Sequence, residues 1–138
     1  MKITQECDYA MRIMLLLFAN GPTAKEDAKA IASTQKIPFR FTVKILRKLL
    51  QAGLIRSYKG AFGGYGILQQ PGEITMLEVI EAIDGPILIN RCMFSGTPCT
   101  RIENKDYCPI HLELEKLQEH IRHELSKISF EKLTKSEQ

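Results

Sequence analysis

Apolar residues recur at intervals of three and four along the first third of the chain, which is the period of an amphipathic helix. The pattern predicts a first helix from about Thr4 to Ala19, capped by the Thr4 side chain and ended before Gly21. A capping box formed by Thr23 and Glu26 predicts a short second helix. The apolar sides of these two helices would form the first part of the core.

Pro38 separates the second helix from a third one. Proline cannot continue a helix and it disfavours helical geometry at the preceding residue, so the chain must turn there. The next helix is predicted over about 39–51, and Gly53 provides a left-handed end for it. Two short helices joined by a tight turn are typical of a helix-turn-helix unit.

A β-hairpin is predicted after the helix-turn-helix unit. Two short strands are expected between residues 54 and 68, and the glycine-rich segment between them permits the reversal. Pro71-Gly72 then interrupts the chain, and a second capping box, Thr75 with Glu78, predicts a fourth helix that ends near Gly85. A hairpin in this place is the wing of a winged helix.

Residues 87–109 show no helical or strand period and are expected to form a loop built around Cys92, Cys99 and Cys108. A long helix is predicted to begin at about Pro109. Its apolar residues form a narrow seam of the coiled-coil kind, which favours pairing with the same helix of a second copy. The seam consists of Ile110, Leu114, Leu117, Ile121, Leu125 and Ile128.

The predicted fold class is mainly α with a small β wing: a winged helix-turn-helix domain followed by a long C-terminal dimerisation helix. The 138 residues then divide into four parts. These are the winged helix-turn-helix domain at 1–86, the cysteine loop at 87–109, the dimerisation helix at 110–130 and a flexible polar tail at 131–138.

Composition excludes several classes of protein. With 44% hydrophobic and 25% charged residues, the chain resembles an ordinary globular protein. Its longest apolar run, residues 13–19, is much shorter than the roughly 20 residues of a membrane-spanning helix, and it lacks a signal-peptide cleavage site. We therefore expect a cytoplasmic protein with no membrane partner. The sequence contains no phosphate loop, no helix-borne zinc motif and no serine elbow, so neither an enzyme activity nor a small-molecule substrate is expected.

Positive charge is concentrated in one segment although the net charge is only +3. Residues 38–56 contain no acidic residue to balance the basic face of the third helix. Such a face can be merely solvated, but its place before a wing predicts double-stranded DNA as the partner. The first turns of the helix would present Arg40, Thr42 and Lys44 to base edges. The predicted DNA surface also includes Arg47, Lys48, Gln51, Arg56 and Lys59.

Four cysteines in a cytosolic chain favour metal ligation or redox sensing over disulfides, because the cytosol keeps thiols reduced. Cys7 is expected to be a core thiol. The other three do not have paired zinc-knuckle spacing, but three thiolates on one loop can converge on an iron-sulfur cluster. His111 is the local candidate for a fourth ligand and Asp8 is its rival. The ordinary role of His111 would be that of a surface histidine. The ordinary role of Asp8 would be to complement the dipole of the first helix.

Five short motifs and the three-cysteine loop occur in a fixed order along residues 1 to about 128. The motifs are Asp8-Tyr9-Ala10-Met11-Arg12, Ile37-Pro38, Ala52-Gly53-Leu54-Ile55, Gly63-Gly64-Tyr65, and Ile74-Thr75 through Gly85-Pro86. In this order they resemble the Rrf-type winged-helix transcription regulators, the family of the IscR-like and NsrR-like iron-sulfur regulators.

The resemblance implies a homodimeric repressor whose C-terminal helix crosses to its partner. A two-iron (2Fe-2S) or four-iron (4Fe-4S) cluster would control its affinity for a palindromic operator. Cys92, Cys99 and Cys108 correspond to the cluster thiolates of the family. The fourth ligand is a histidine placed like His111 in some members and an acidic residue of the opposite subunit, placed like Asp8, in others.

The resemblance also extends the predicted DNA surface to the wing residues Gly63, Gly64 and Tyr65. The chain departs from the family at Gly66, where a basic residue is often found, and at Lys59, where many members place an arginine. These departures imply weaker contacts of the wing with the minor groove.

Taken with the resemblance, the sequence favours a repressor that senses redox state, nitric oxide or iron status. Two alternatives stay open. The same fold could respond through a thiol switch or a zinc ion without a cluster. The chain could also be an interaction module that docks on a metabolic enzyme through its helical seam.

Overall fold

The computed structural model describes residues 2–68 and 74–136, and in these residues it has six helices and one two-stranded antiparallel hairpin. The predicted break at Pro71-Gly72 lies outside the described residues. The helices are α1 Gln5–Asn20, α2 Ala28–Gln35, α3 Phe39–Gln51, α4 Met76–Asp84, α5 Pro109–Ser126 and α6 Phe130–Ser136, and the strands are β1 Ile55–Tyr58 and β2 Gly64–Ile67. This arrangement confirms the predicted fold class.

The helix ends follow the capping residues that the sequence offers. The Thr4 hydroxyl accepts the backbone N–H of Cys7 at 3.1 Å and so begins α1. At α4, the backbone N–H of Thr75 donates to the Glu78 carboxylate at 2.7 Å and the N–H of Glu78 donates back to the Thr75 hydroxyl at 3.3 Å. Gly53 follows α3 with φ +73°. The second predicted capping box and the left-handed end of α3 are confirmed.

The first predicted capping box is wrong. Asp27 begins α2 instead, because its carboxylate accepts the N–H of Ala30 at 2.9 Å. The backbone of Glu26 pairs with that of Tyr65, with N–H···O distances of 2.9 and 2.8 Å. Glu26 is therefore extended like a short third strand beside the wing, and this pairing prevents it from entering a helix.

Close backbone contacts determine where the wing needs glycine. A Cβ atom at Gly63 would lie 2.1 Å from the carbonyl oxygen of Tyr58, and one at Gly66 would lie 2.6 Å from the carbonyl oxygen of Ala24. Neither neighbour is a flexible side chain. The departure from the family at Gly66 thus has a physical reason, since the segment before α2 runs directly against this strand.

The core lies between α1, α3, α4 and the hairpin, and α6 closes one side of it. Phe130 is 1% exposed and its ring centre lies 5.9 Å from that of Phe18 on α1. Leu133, one helical turn later, also packs against the core. The expectation of a flexible tail from residue 131 is therefore wrong as far as Ser136, because two apolar side chains anchor the tail as a helix.

The predicted seam of α5 is divided into two halves. Ile110 and Leu117 are 57% and 51% exposed, whereas Ile121 and Leu125 are partly buried against the rest of the chain. The helix ends at Ser126, before the last predicted seam residue. The exposed half is thus available to a partner, and the other half already packs within the chain.

No helix in the described part of the chain combines the length and the apolar character that crossing a bilayer would require.

Candidate functional site

The basic face of α3 is open to solvent and its opposite face enters the core. Ile45, Leu46 and Leu49 are buried. The exposed residues include Arg40, Lys44, Arg47 and Gln51. These four predicted DNA-contacting residues therefore lie on a surface that a nucleic acid can reach.

Thr42 is buried with a relative exposure of 0%, so the prediction that it faces base edges is wrong. It shares the inward face with Ile45, Leu46 and Leu49, which lie three, four and seven positions later. Its hydroxyl donates to the carbonyl oxygen of Pro38 at 3.3 Å, which satisfies the polar group inside the core.

Lys48 and Lys44 have an acidic partner that lies outside the basic segment 38–56. The Lys48 ammonium lies 2.9 Å from Oε1 of Glu6 on α1, and the Lys44 ammonium lies 3.7 Å from the same oxygen. Lys48 also donates to the carbonyl oxygen of Ile83 at 3.5 Å, near the end of α4. The expectation of unbalanced positive charge is wrong here, because a residue 42 positions from Lys48 supplies the carboxylate.

The wing presents cations and one apolar side chain. The Arg56 guanidinium and the Lys25 ammonium lie 4.8 and 5.0 Å from the centre of the Tyr58 ring. Lys59 is exposed, and Phe62 at the tip is 89% exposed. Sequence reasoning missed Phe62, although a large apolar residue in a glycine-rich turn beside a lysine is a visible signal.

Gly63, Gly64 and Tyr65 hold the hairpin against the chain. A Cβ atom at Gly64 would lie 2.7 Å from the carbonyl oxygen of Glu26, and the Tyr65 backbone pairs with the same residue. The Tyr65 side chain packs against the core. DNA contacts by these three residues stay a prediction.

Cys92, Cys99, Cys108 and His111 line one cavity of about 120 Å³. Cys92 lies in a short 3₁₀ turn, Arg91–Met93. Cys108 immediately precedes α5, and Pro109 then occupies a first-turn position where its missing N–H is not needed. His111 follows one helical turn later, on the same side as Cys108. The local structure thus brings the predicted local ligands to one place.

Hydrogen-bond donors approach two of the sulfur atoms. Nδ2 of Asn90 donates to Sγ of Cys92 at 3.4 Å, and a guanidinium N–H of Arg101 donates to Sγ of Cys108 at 3.4 Å. Nδ1 of His111 lies 3.2 Å from Sγ of Cys92. Donors of this kind orient a cysteine sulfur and can hydrogen-bond it when it binds a metal.

The loop itself is held by polar contacts that involve its backbone. The Lys105 ammonium donates to the carbonyl oxygen of Cys92 at 2.6 Å. The backbone N–H groups of Arg101 and Ile102 hold the pKa of the Cys99 thiol below its ordinary value. The loop therefore favours the thiolate of Cys99 and fixes the position of Cys92.

The donor set suits an iron-sulfur cluster in its chemistry. Such clusters are held mainly by cysteine thiolates with an occasional histidine, and three thiols and an imidazole line this cavity. Within residues 2–68 and 74–136, no three His, Cys, Asp or Glu side chains are grouped closely enough to hold a single metal ion.

Asp8 lies elsewhere on the molecule, on the exposed side of α1, where its carboxylate forms an ion pair with Arg12 at 2.7 Å. Its role as a ligand from a second subunit stays a prediction. Cys7, the next residue back along α1, is fully buried, and burial raises the pKa of its thiol to about 12. The expectation that Cys7 is a core thiol is confirmed.

Polar contacts connect the cysteine loop to α3 by way of α5 and α4. The buried Gln118 of α5 accepts the backbone N–H of Ile89 at 3.0 Å. Arg122 of α5 forms an ion pair with Glu81 of α4. The contact of Lys48 with the carbonyl oxygen of Ile83 then joins α4 to α3. A displacement of the loop thus has a physical route to the recognition helix.

Two relatives and one solved structure resemble this chain closely. An Rrf2-like HTH-type transcriptional regulator of Rhodobacter capsulatus is 32% identical over 113 residues, which cover 78% of this chain and 75% of the relative. The HTH-type transcriptional regulator NsrR of Bacillus subtilis is 28% identical over 110 residues, or 80% and 70% of the two chains. The structure of CymR, the global cysteine regulator of B. subtilis, matches with a TM-score of 0.78 at 25% identity, over 99% of this chain and 98% of CymR.

Several other relatives are matched over only 54–63% of their own length. The family model described as Rrf2, an iron-dependent transcriptional regulator, matches residues 3–136. The named relatives are transcriptional regulators rather than enzymes, as the sequence led us to expect. With a family model that covers nearly the whole chain and a fold that matches at full length, this protein belongs to the Rrf2 family of transcriptional regulators.

Proposed function

We propose that this regulator is a homodimeric repressor whose affinity for a palindromic operator depends on an iron-sulfur cluster held by Cys92, Cys99, Cys108 and His111. The observation that carries the proposal is the shared cavity of these four side chains. The contact between His111 and Cys92 at 3.2 Å supports His111 rather than Asp8 as the fourth ligand. The iron-dependent character of the matching family supports iron as the metal.

When bound, the cluster would supply a redox-active centre that also reacts with oxygen and nitric oxide. The protein's own contribution is to orient the ligands and tune them. Asn90 and Arg101 donate hydrogen bonds to cysteine sulfurs, which stabilises negative charge there and raises the reduction potential of a thiolate-bound group. Lys105 binds the backbone carbonyl oxygen of Cys92. A movement of the Cys92 sulfur would therefore also displace the part of the loop that carries Lys105.

DNA would be bound by the open face of α3 and by the wing. Arg40, Arg47 and Gln51 of α3 face solvent, and Lys44, which is also exposed, lies beside the Glu6 carboxylate. In a symmetric dimer the two copies of α3 would enter successive major grooves about 34 Å apart. The exposed half of the α5 seam, with Ile110 and Leu117, supplies the apolar surface for the second copy.

The two sites would be coupled through α5 and α4. The contacts of Gln118 with Ile89 and of Arg122 with Glu81 transmit a shift of the loop to α4. The end of α4 contacts Lys48 of α3. Because operator binding requires both recognition helices at a set spacing, a small reorientation costs affinity.

Anaerobic reconstitution tests the sensing half of this proposal. The wild-type protein should be coloured, with iron and labile sulfide in equal amounts, and Cys92→Ser should lose both. His111→Ala should change the absorption spectrum or lose iron, whereas Asp8→Asn serves as the matched control and should leave both unchanged. A colourless wild-type protein without iron would exclude the cluster, and an effect of Asp8→Asn alone would transfer the fourth ligand to the partner subunit.

A thiol switch on the same fold is the second candidate function, and a zinc site is disfavoured because no three ligands among the described residues are grouped closely enough for one ion. Its support is the likeness to CymR, which is 34% identical over 90 residues, together with the contact between Cys92 and His111. Metal analysis separates the candidates, because zinc would bind without colour and a thiol switch would bind DNA differently with and without reductant in the absence of any metal.

A further inference from the structure

We infer that Glu6 limits the attraction of the recognition helix for DNA phosphate and so weakens binding to DNA of any sequence. Glu6 lies in the first turn of α1, yet its carboxylate reaches two lysines of α3, Lys44 at 3.7 Å and Lys48 at 2.9 Å. The inference rests on the proposed binding of DNA by α3. It assigns a role in DNA affinity to an acidic residue outside the helix-turn-helix unit.

The position of the carboxylate makes the pairing effective. The Glu6 side chain is only 23% exposed, and its Oε1 atom is shielded from solvent. Water and salt screen such a pair much less than a pair at the open surface. The contact with Lys48 is an ion pair rather than an aligned hydrogen bond, so charge alone maintains it.

Glu6 cannot easily turn away from α3. Thr4, two residues earlier, caps α1, and its hydroxyl donates to the Asp84 carboxylate of α4 at 2.6 Å. The following residue, Cys7, is fully buried. The backbone of the first turn of α1 is thus fixed on both sides of Glu6, and the ion pairs with Lys48 and Lys44 hold the carboxylate beside α3.

The two lysines differ in how freely they can exchange Glu6 for a phosphate. Lys48 is 32% exposed and is also held by the carbonyl oxygen of Ile83, so it joins α1, α3 and α4. Lys44 is 57% exposed and has the longer ionic distance. Loss of the Glu6 charge should therefore release Lys44 to phosphate and leave Lys48 largely in place.

The salt dependence of DNA binding measures this effect directly. Each phosphate contact adds about 0.9 to the slope of log affinity against log salt concentration. One additional contact per chain, or two per dimer, would therefore steepen the slope by about 2. Binding to DNA of arbitrary sequence is almost entirely electrostatic, so it reports the additional contact without a contribution from base readout.

The alternative role of an acidic residue in the first turn is purely structural: it complements the dipole of α1. That role predicts a lower melting temperature for Glu6→Gln and no change in the salt slope. The slope is thus the readout that separates a DNA role from a purely structural one.

The experiment measures binding of a labelled duplex of random sequence over a series of salt concentrations, using wild type, Glu6→Gln and a matched control. Glu113→Gln is the control, because it removes the same charge from an exposed ion pair with Lys116 on α5. Glu6→Gln should bind more tightly at low salt with a slope steeper by about 2 per dimer. Glu113→Gln should keep the wild-type slope.

A slope of Glu6→Gln equal to that of wild type, or an equal change in Glu113→Gln, would overturn the inference while leaving DNA binding intact. Failure of wild type to bind the duplex at the lowest salt would overturn the proposed DNA function and the inference with it.

A double variant identifies which lysine is released to phosphate. Glu6→Gln combined with Lys44→Gln should return the slope to the wild-type value, and a slope that stays steep would contradict the release of Lys44.

If circular dichroism shows that Glu6→Gln does not fold, Glu6→Asp keeps the acidic first turn but withdraws the carboxylate from Lys44. Its slope should be steeper than that of wild type by less than about 2 per dimer, and a wild-type slope would again overturn the inference.

Discussion

Substitution of Thr42 by valine tests whether the inward side of α3 has been assigned correctly. The change replaces a hydroxyl by a methyl group of similar size in the core. The hydroxyl donates to the carbonyl oxygen of Pro38, but that oxygen already accepts the backbone N–H of Thr42 at 3.1 Å. No acceptor is therefore left without a partner, and the cost should be limited to one hydrogen bond, about 0.5–1.5 kcal/mol.

The two interpretations of Thr42 predict different outcomes. If its side chain is buried, Thr42→Val should shift the midpoint of urea unfolding slightly and leave DNA affinity unchanged. If the hydroxyl contacts a base edge, the variant should lose roughly 1–3 kcal/mol of discrimination, which is a factor of about 5 to 150. Fluorescence anisotropy easily distinguishes an unchanged DNA affinity from an affinity that is at least fivefold weaker.

Arg47→Ala is the matched control on the open side of the same helix. It should weaken DNA binding and lower the salt slope by about 1 per chain, because an exposed phosphate ligand is lost. A Thr42→Val protein that unfolds normally but binds DNA fivefold more weakly would refute the assignment of the inward face. An unchanged slope in Arg47→Ala would refute the assignment of the open face.

Three further predictions follow from the packing. Gly66→Arg should lower the melting temperature and weaken DNA binding despite the added charge, because its Cβ would lie 2.6 Å from the Ala24 carbonyl oxygen. Stronger DNA binding with an unchanged melting temperature would contradict the close contact. Phe130→Ala should cost about 3–5 kcal/mol of unfolding free energy, measured with urea, and a cost below about 1 kcal/mol would mean that α6 does not belong to the core. In folded, cluster-free protein at pH 8, a thiol of pKa about 12 is almost wholly protonated, so iodoacetamide should leave Cys7 unmodified while Cys99, whose pKa is lowered, reacts. Mass spectrometry reports the order, and early labelling of Cys7 would contradict its burial.

Local signals in the sequence were sufficient for most of the fold. Thr4 and the pair Thr75 and Glu78 cap helices where the pattern indicated, and α3 has the predicted bounds. Glu26 was assigned wrongly because its partner, Tyr65, lies 39 positions later, and no local pattern reports a pairing at that distance.

Long-range contacts also explain what was missed at the candidate sites. The basic segment looked unbalanced because its acidic partner, Glu6, belongs to another helix. The helical period places Thr42 with Ile45 and Leu49 and was therefore sufficient to exclude it from the DNA surface. Its polar side chain nevertheless suggested a place among the DNA-contacting residues. In the cysteine loop, three thiols on one segment suggested that they could converge, whereas the donors from Asn90 and Arg101 depend on how the loop folds.

The junction at Cys108 has a mechanical consequence. This residue is part of the cavity wall and also the point from which α5 starts, with its carbonyl oxygen accepting the N–H of Leu112 at 3.0 Å. The 18 residues of α5 extend about 27 Å. A rotation of about 5° at Cys108 would therefore move the opposite end of α5 by about 2 Å, because the helix behaves as a rigid lever. Arg122, near that opposite end, forms an ion pair with Glu81 of α4. Under the proposed function, a small displacement at one sulfur would thus be enlarged before it reached α4.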